Sequence, residues 1–423
     1  MSFMLSTPLS LQVDFWTDQL ARVKLVVEQA SDLQREWYQK VDPRIHSATG
    51  KFNFIAMMSL MDQFNMGGKS RLQQFVWGLP ITGDLSQAGV YPTDPKAQPA
   101  PDLSTIWNET ATRYLTRAKG SGLPHADHLW TEAMGQVQKG WLPAPLPINA
   151  DGQCPDAAIG PVNISFRFDV GQMEKLRACD DLKYGTANLF CSVWTPIKLP
   201  TWDHISQLAA LVRDTKCAWS FFKTDHESAY KQLPIAPEDQ NLSAVALRRP
   251  VAGKWMAFAP RTLLFAAVAA VLHYNCFSRA VAAPFTKVTG IPLLSYFDDF
   301  GSLVPSEVLG QALAAFATFC QLLGLKLKDS KTEKGPALTF LVIFGEFPGP
   351  HNDMSLTISL PREKAIRWGG QAPGLYRPTE HPTQGPGERH WQTIVRSNLG
   401  DGPCRTSHVD LALPKTQRKV LLR

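Results

Sequence analysis

The feature that most constrains the fold of this chain is a pair of adjacent carboxylates inside an apolar run. The run, Leu293–Gly301, reads LLSYFDDFG, and it places Asp298 and Asp299 between aromatic and aliphatic residues. Short apolar runs separated by a two-residue polar break are typical of a tight β-hairpin, so we expect both aspartates at its tip. Carboxylates in such surroundings are costly unless a cation or a basic partner neutralises them. A bound divalent metal would do so; the alternative is an ordinary Asp-Asp turn.

A second carboxylate motif lies upstream. The segment Phe221–Tyr230 reads FFKTDHESAY, in which Asp225 ends a predicted strand and Tyr230 follows five residues later. This segment and Tyr296–Asp299 together resemble the two carboxylate motifs of reverse transcriptases, in the family's order. The resemblance covers roughly residues 125–365 and is strongest to tyrosine-recombinase (DIRS-type) retrotransposons. It implies an α+β fold in which a polymerase right-hand palm, an antiparallel sheet with packed helices, is joined by fingers.

The resemblance also implies a metal site. Asp225 and Asp298 would hold two Mg²⁺ ions, for which Mn²⁺ can substitute, with Asp299 in a supporting role in metal binding. Hard divalent cations prefer carboxylate oxygens, and two of them can activate a primer 3′ hydroxyl while neutralising a triphosphate. Lys331, in the segment Leu325–Thr332, matches the family's lysine near the leaving pyrophosphate.

Other matches concern the substrates. Lys175 and Arg177 match the basic residues of a fingers hairpin that contacts the incoming nucleotide; the alternative is a solvated surface strand. Tyr230 matches an aromatic gate that excludes a 2′ hydroxyl; the alternative is a core aromatic. Ala266 stands where the family usually has a glycine that approaches the nucleotide closely.

Further downstream, Phe344 and Gly345 match the hairpin that grips the primer strand. The partners implied are an RNA or DNA template-primer and deoxyribonucleoside triphosphates, with no membrane. The sequence does not indicate an oligomeric state. By contrast, Asp180-Asp181 lacks aromatic strands around it, so we interpret it as a turn.

Composition and motif order predict the domain organisation. We expect a helical N-terminal region with a Pro/Gly linker at 1–100, then fingers and the helices leading into them at 101–215. The palm would follow at 216–350 and a short vestigial thumb at 351–370. Prolines, glycines and few apolar runs predict a disordered basic tail at 371–423. Long helices are also predicted at 260–283 and 307–323.

Charge and cysteine usage bear on nucleic-acid binding and on the cellular compartment of the protein. The net charge of +6 arises entirely after Pro361, where eleven Lys/Arg face five Asp/Glu. The balanced remainder gives no general sign of nucleic-acid binding, although a cleft can still focus positive potential. The seven cysteines are scattered without metal or redox spacing, which indicates reduced thiols and an intracellular protein of the nucleus or cytoplasm. No apolar run is long enough to cross a bilayer.

Three functions remain open from the sequence. The first is an RNA-directed DNA polymerase. The second is a truncated, inactive polymerase fold that binds nucleic acid, which Ala266 and the missing thumb favour. The third is an unrelated metal-dependent enzyme with a fortuitous Asp-Asp hairpin.

Overall fold

The structure, a computed structural model, describes most of the chain up to residue 346 and little beyond it. The described residues are 2–49, 52–67, 69–85, 92–105, 125–149, 164–170, 176–182, 187–212, 215, 217–340, 343–346, 357–359, 394–395 and 419–420. The predicted thumb at 351–370 and disordered tail at 371–423 therefore lie outside the described residues, except for three short strands.

The N-terminal region is helical, as its apolar periodicity predicts. Its helices α1 to α5 are Ser2–Ser6, Leu9–Lys40, Pro43–Thr49, Phe54–Gln63 and Lys69–Trp77. The long helix α2 buries Trp16, whose indole N–H donates to the carbonyl of Thr289 at 2.9 Å. Residues of α2 and α4 belong to the same hydrophobic core as the carboxylate-bearing sheet, so this region supports that sheet from behind.

The remaining helices lie between and beside strands. They are α6 Ala126–Gln138, α7 Trp202–Val212, α8 Val268–Thr289 and α9 Leu309–Leu322. Within the described ranges, no helix is long and apolar enough to span a membrane.

The strands form several sheets in a mixed α+β fold. In chain order, β1 to β8 are Gly83–Leu85, Leu146–Pro147, Ile164–Val170, Arg177–Asp180, Cys191–Val193, Trp219–Asp225, Ala244–Arg248 and Trp255–Phe258. Strands β9 to β16 are Leu294–Tyr296, Asp299–Pro305, Glu333–Gly335, Ala337–Phe340, Ile343–Glu346, Thr357–Ser359, Ile394–Val395 and Lys419–Val420.

The central sheet has four antiparallel strands in the order β11-β6-β10-β9. Strands β6 and β10 are almost fully buried because helices α8 and α9 pack on the sheet, where Phe316 of α9 contacts Phe300 of β10 at 5.2 Å between ring centroids. A second sheet of five strands has the order β2-β8-β7-β3-β4. Helix α6 packs on this second sheet, where Trp130 meets Phe258 edge to face at 5.7 Å.

The helix predicted over 260–283 begins later and ends later than expected. It starts at Val268, because the preceding segment makes strand-like hydrogen bonds: Ile235 N–H to the Arg261 carbonyl and Leu263 N–H to the Leu233 carbonyl. It ends at Gly290, whose φ of 73° suits a glycine cap. Similarly, the helix predicted from 307 is a short 3₁₀ turn until Leu309.

Candidate active site

The Asp-Asp hairpin forms, but its tip differs from the prediction by one residue. Asp299 pairs with Tyr296 in the β9–β10 register, so the two tip residues are Phe297 and Asp298, and Asp299 is already in a strand. Phe297 has a φ of 51°, a conformation that bulky side chains rarely adopt and that costs about 1–2 kcal/mol. The strained turn places Asp298 beyond the strand end and beside the neighbouring strand β6.

Asp225 is the last residue of β6 and lies directly opposite Asp299 in the β6–β10 register. Only 1% of its side chain is exposed. Its Oδ2 accepts a hydrogen bond from Lys331 Nζ, whereas its buried Oδ1 has no hydrogen-bond partner among the described residues. Burial raises the pKa of Asp225 to about 6, since the hydrogen bond from Lys331 opposes this rise only in part.

Asp298 lies beside Asp225. It raises the pKa of Asp225 both by its charge and as a neighbour in hydrogen-bonding range, and its carbonyl accepts from the His226 N–H at 3.1 Å. Two ionised carboxylates cannot donate to each other, which leaves Asp225 Oδ1 as an acceptor without a donor. The two sequence motifs thus meet at one end of the central sheet.

Asp299 has different surroundings. Burial raises its pKa, and among charged groups the largest influence comes from Lys223, which lowers it. Lys223 itself pairs with Glu333 at 3.2 Å. The Asp299 carboxylate is therefore partly neutralised by the Lys223 ammonium on the adjacent strand.

Lys331 ends a single 3₁₀ turn, Asp329–Lys331, that packs against the end of β6. The Lys328 N–H donates to the Asp225 carbonyl at 2.7 Å, and this bond holds the turn in place. Burial lowers the pKa of Lys331, but the hydrogen bond and charge of Asp225 outweigh that effect and raise it. Lys331 is consequently a charged ammonium in contact with the candidate metal ligand.

Two comparisons bear on which family the chain belongs to. No protein-family model matches the chain, and no curated protein matches it. The resemblance therefore rests on the sequence motifs alone.

Tyr230 lies next to the carboxylates. It is part of the 3₁₀ turn Ala229–Gln232, and its ring contacts Tyr274 at 5.0 Å and Phe265 at 5.9 Å between centroids. Burial, followed by the charge of Asp298, raises its pKa above the ordinary value for tyrosine. The ring is half-buried, so it packs against its aromatic neighbours and also exposes part of its surface near Asp298.

Ala266 lies in the segment that precedes α8, beside the exposed ring of Phe265. The amide of Asn188 brackets this segment: it donates to the Ala266 carbonyl and accepts from the Val268 N–H, both at 2.9 Å. The backbone at Ala266 is thus fixed by a side chain from the region predicted as fingers.

Two residues that sequence reasoning missed lie directly behind the site. His226 is buried and neutral, because burial lowers its pKa to about 3, and its Nδ1 is hydrogen-bonded to the Tyr274 hydroxyl at 2.7 Å. Tyr274 is fully buried, and burial together with the charges of Asp298 and Asp225 raises its pKa well above its usual value. The available signal was a histidine directly after Asp225, at the end of a strand that the aromatic pair Phe221 and Phe222 marks as buried.

The remaining predicted site residues lie elsewhere or outside the described part. Arg177 is the exposed first residue of β4, in the five-stranded sheet, and Lys175 lies outside the described residues. Phe344 and Gly345 lie on β13, which pairs with β12 and β14. The roles of these four residues stay predictions.

A separate buried ion pair occupies the five-stranded sheet. Arg167 donates to both oxygens of Asp180, at 2.7 and 3.3 Å, and to Gln136 at 3.4 Å. The turn predicted at Asp180-Asp181 is therefore wrong for Asp180, which is the last residue of β4 and pairs with Arg167 in register. Lys231 lies near this pair, and its buried Nζ has no hydrogen-bond partner within the described ranges.

The carboxylate cluster fits a magnesium site in which the protein supplies only a few of the metal ligands. Within the part of the chain that the structure describes, no group of three or more His, Cys, Asp or Glu side chains could hold a metal ion. Mg²⁺ commonly binds through one or two carboxylates, while water and substrate phosphates complete its shell. Asp225, with its partnerless Oδ1, and Asp298 would supply those two carboxylates.

Proposed function

We propose that this protein is a reverse transcriptase-like nucleotidyltransferase that adds deoxyribonucleotides to a primer 3′ end under the direction of a template. The observation that supports this most is the meeting of Asp225 and Asp298 at one end of an antiparallel sheet. Both residues come from motifs that resemble the family's carboxylate motifs. A palm-like arrangement of strands and helices is the fold that this proposal requires.

Each residue of the cluster would have a defined task. Asp225 and Asp298 would hold divalent metal, which when bound supplies positive charge to the attacking hydroxyl and to the phosphates. Asp299 would keep Lys223 and the sheet end in place. Lys331, protonated and half exposed, would offer its ammonium to the leaving pyrophosphate.

A primer-extension assay with Mg²⁺ tests the proposal. We expect Asp225→Asn and Asp298→Asn each to lower extension by about 10³-fold or more, because each loses a charged metal ligand. Asp18→Asn makes the same chemical change on the exposed surface of α2 and serves as the control. If the protein retains template-primer but never extends it, a nucleic-acid binding module replaces the polymerase proposal.

Tyr230 would select the sugar of the incoming nucleotide. Its half-buried ring stands beside Asp298, where a 2′ hydroxyl would collide with it. Tyr230→Ala should therefore increase ribonucleotide incorporation relative to deoxyribonucleotide by roughly 10-fold, or ~1.4 kcal/mol. Single-nucleotide extension with each substrate measures this ratio. An unchanged ratio in an active Tyr230→Ala protein would assign the ring to packing alone.

A further inference from the structure

Asp225 presents two unequal oxygens to the site. Oδ2 is bonded to Lys331 Nζ, and Oδ1 is buried without a partner in the described structure. Nearly all of Asp225 is buried, but 48% of the Lys331 side chain is exposed. The carboxylate is therefore fixed, whereas the lysine that meets it has open space on its solvent side.

The Lys331 ammonium has acidic neighbours besides Asp225. Lys331 Nζ is bonded to Asp225, which lies opposite Asp299 in the strand register and beside Asp298, whose carbonyl accepts from the His226 N–H. The cation therefore lies at the carboxylate cluster, and the charges of all three carboxylates raise its pKa. A divalent ion bound by Asp225 and Asp298 would need the same region. At a separation of about 4 Å, like charges repel by several kcal/mol near a protein surface.

We infer that Lys331 and a divalent metal ion compete for Asp225, so that the ion binds only as the lysine side chain leaves the carboxylate. This inference rests on the proposed function, because it concerns the same metal site. Metal binding would thereby be coupled to nucleotide binding. An ion that displaces Lys331 would also turn the lysine ammonium toward solvent, where a triphosphate would arrive. Metal binding would then prepare the lysine for phosphate.

Calorimetric titration of Mn²⁺ into the full chain, without nucleotide or primer, tests the competition at a fixed pH of about 8. Lys331→Met and Lys331→Gln remove the competing charge while keeping a side chain of similar length. We expect both to bind Mn²⁺ about tenfold more tightly than the unaltered protein, or more, equivalent to ~1.4 kcal/mol. Lys328→Met removes one exposed lysine from the same turn and should leave the affinity within about twofold.

The outcomes separate this inference from the proposed function. Equal or weaker Mn²⁺ binding in folded Lys331→Met and Lys331→Gln, with clear binding in the unaltered protein, overturns the competition and leaves the metal site intact. Absence of binding in all three proteins overturns both. Circular dichroism confirms that each variant is folded, and Asp298→Asn should abolish the heat of binding that the inference assigns to this site.

Discussion

Two buried carboxylates of this protein, Asp180 and Asp225, each meet a basic residue, and they differ in how completely they are satisfied. Asp180 receives both of its hydrogen bonds from the Arg167 guanidinium, and the two side chains are 4% and 1% exposed. Among the described residues, the Asp225 side chain accepts a hydrogen bond from the Lys331 ammonium alone, through one oxygen. We call Asp180–Arg167 the closed pair, because both carboxylate oxygens are hydrogen-bonded. We call Asp225–Lys331 the open pair, because it leaves one carboxylate oxygen available for a ligand.

The number of carboxylate oxygens that are hydrogen-bonded distinguishes a structural ion pair from a candidate binding site. A planar guanidinium can satisfy both carboxylate oxygens at once, whereas an ammonium is a point charge on a flexible stem. Burial is the largest influence on Asp225 and raises its pKa to about 6, so its ionised form is incompletely stabilised. A cation from solution would remove that deficit, which gives the open pair, and not the closed one, a reason to bind metal.

Breaking the closed pair should have the largest effect on stability. Arg167→Met leaves Asp180 buried without its partner, and we expect the free energy of unfolding to fall by about 3–5 kcal/mol. Urea denaturation measures this. Arg35→Met, which breaks an exposed pair with Asp32, makes the same substitution and should change stability by less than about 1 kcal/mol. Equal losses in the two variants would contradict the distinction.

Lys231 sharpens the comparison because its amine is buried beside the closed pair without joining it. Burial lowers its pKa to about 8 from an ordinary value of 10.5, so the charged form destabilises the fold at neutral pH. Lys231→Met should raise the free energy of unfolding by roughly 1–3 kcal/mol at pH 7.

The pH dependence gives a second measurement on the same variant. Between pH 8 and 10.5 the unfolded chain holds a proton at Lys231 that the folded chain has lost, so stability rises with pH in this window. Lys231→Met should lack this rise, while exposed Lys24→Met should keep it. A rise that persists in Lys231→Met would place its source in another group.

The open pair should respond least, and in the opposite direction to the closed pair. Asp225→Asn removes a carboxyl whose ionisation is disfavoured by burial, and the half-exposed Lys331 is readily solvated. In metal-free buffer at pH 7 we expect a gain of about 1 kcal/mol, after allowance for solvent screening. Thermal unfolding with a chelator present measures it.

The sign of this effect also has a pH window. Between the ordinary value of 3.8 and about 6, the folded chain holds a proton at Asp225 that the unfolded chain has lost, so stability falls as pH rises. Asp225→Asn should lack that fall, and Asp18→Asn should retain it. A large loss of stability in Asp225→Asn would show that this pair is as structural as Arg167 with Asp180.

Much of the local structure followed from sequence patterns. Helical periodicity predicted the helical N-terminal region, which contains α2 and α4. The helix over 260–283 was misplaced because its alanine-rich start satisfies helical and extended patterns equally. Hydrogen bonds with Leu233, which accepts, and Ile235, which donates, decided the extended form there, and a local pattern contains no information about such distant partners.

The sequence by itself determined which side chains are available for chemistry: two aspartate motifs in apolar strands, a tyrosine after the first, and a lysine downstream. Only the tertiary structure decided their relations. Strand register placed Phe297 and Asp298 at the hairpin tip, joined Arg167 to Asp180, and left Asp225 Oδ1 without a donor from any described residue. The physical reason is that register and burial depend on packing between segments far apart in the chain, and these contacts set which charges are neutralised.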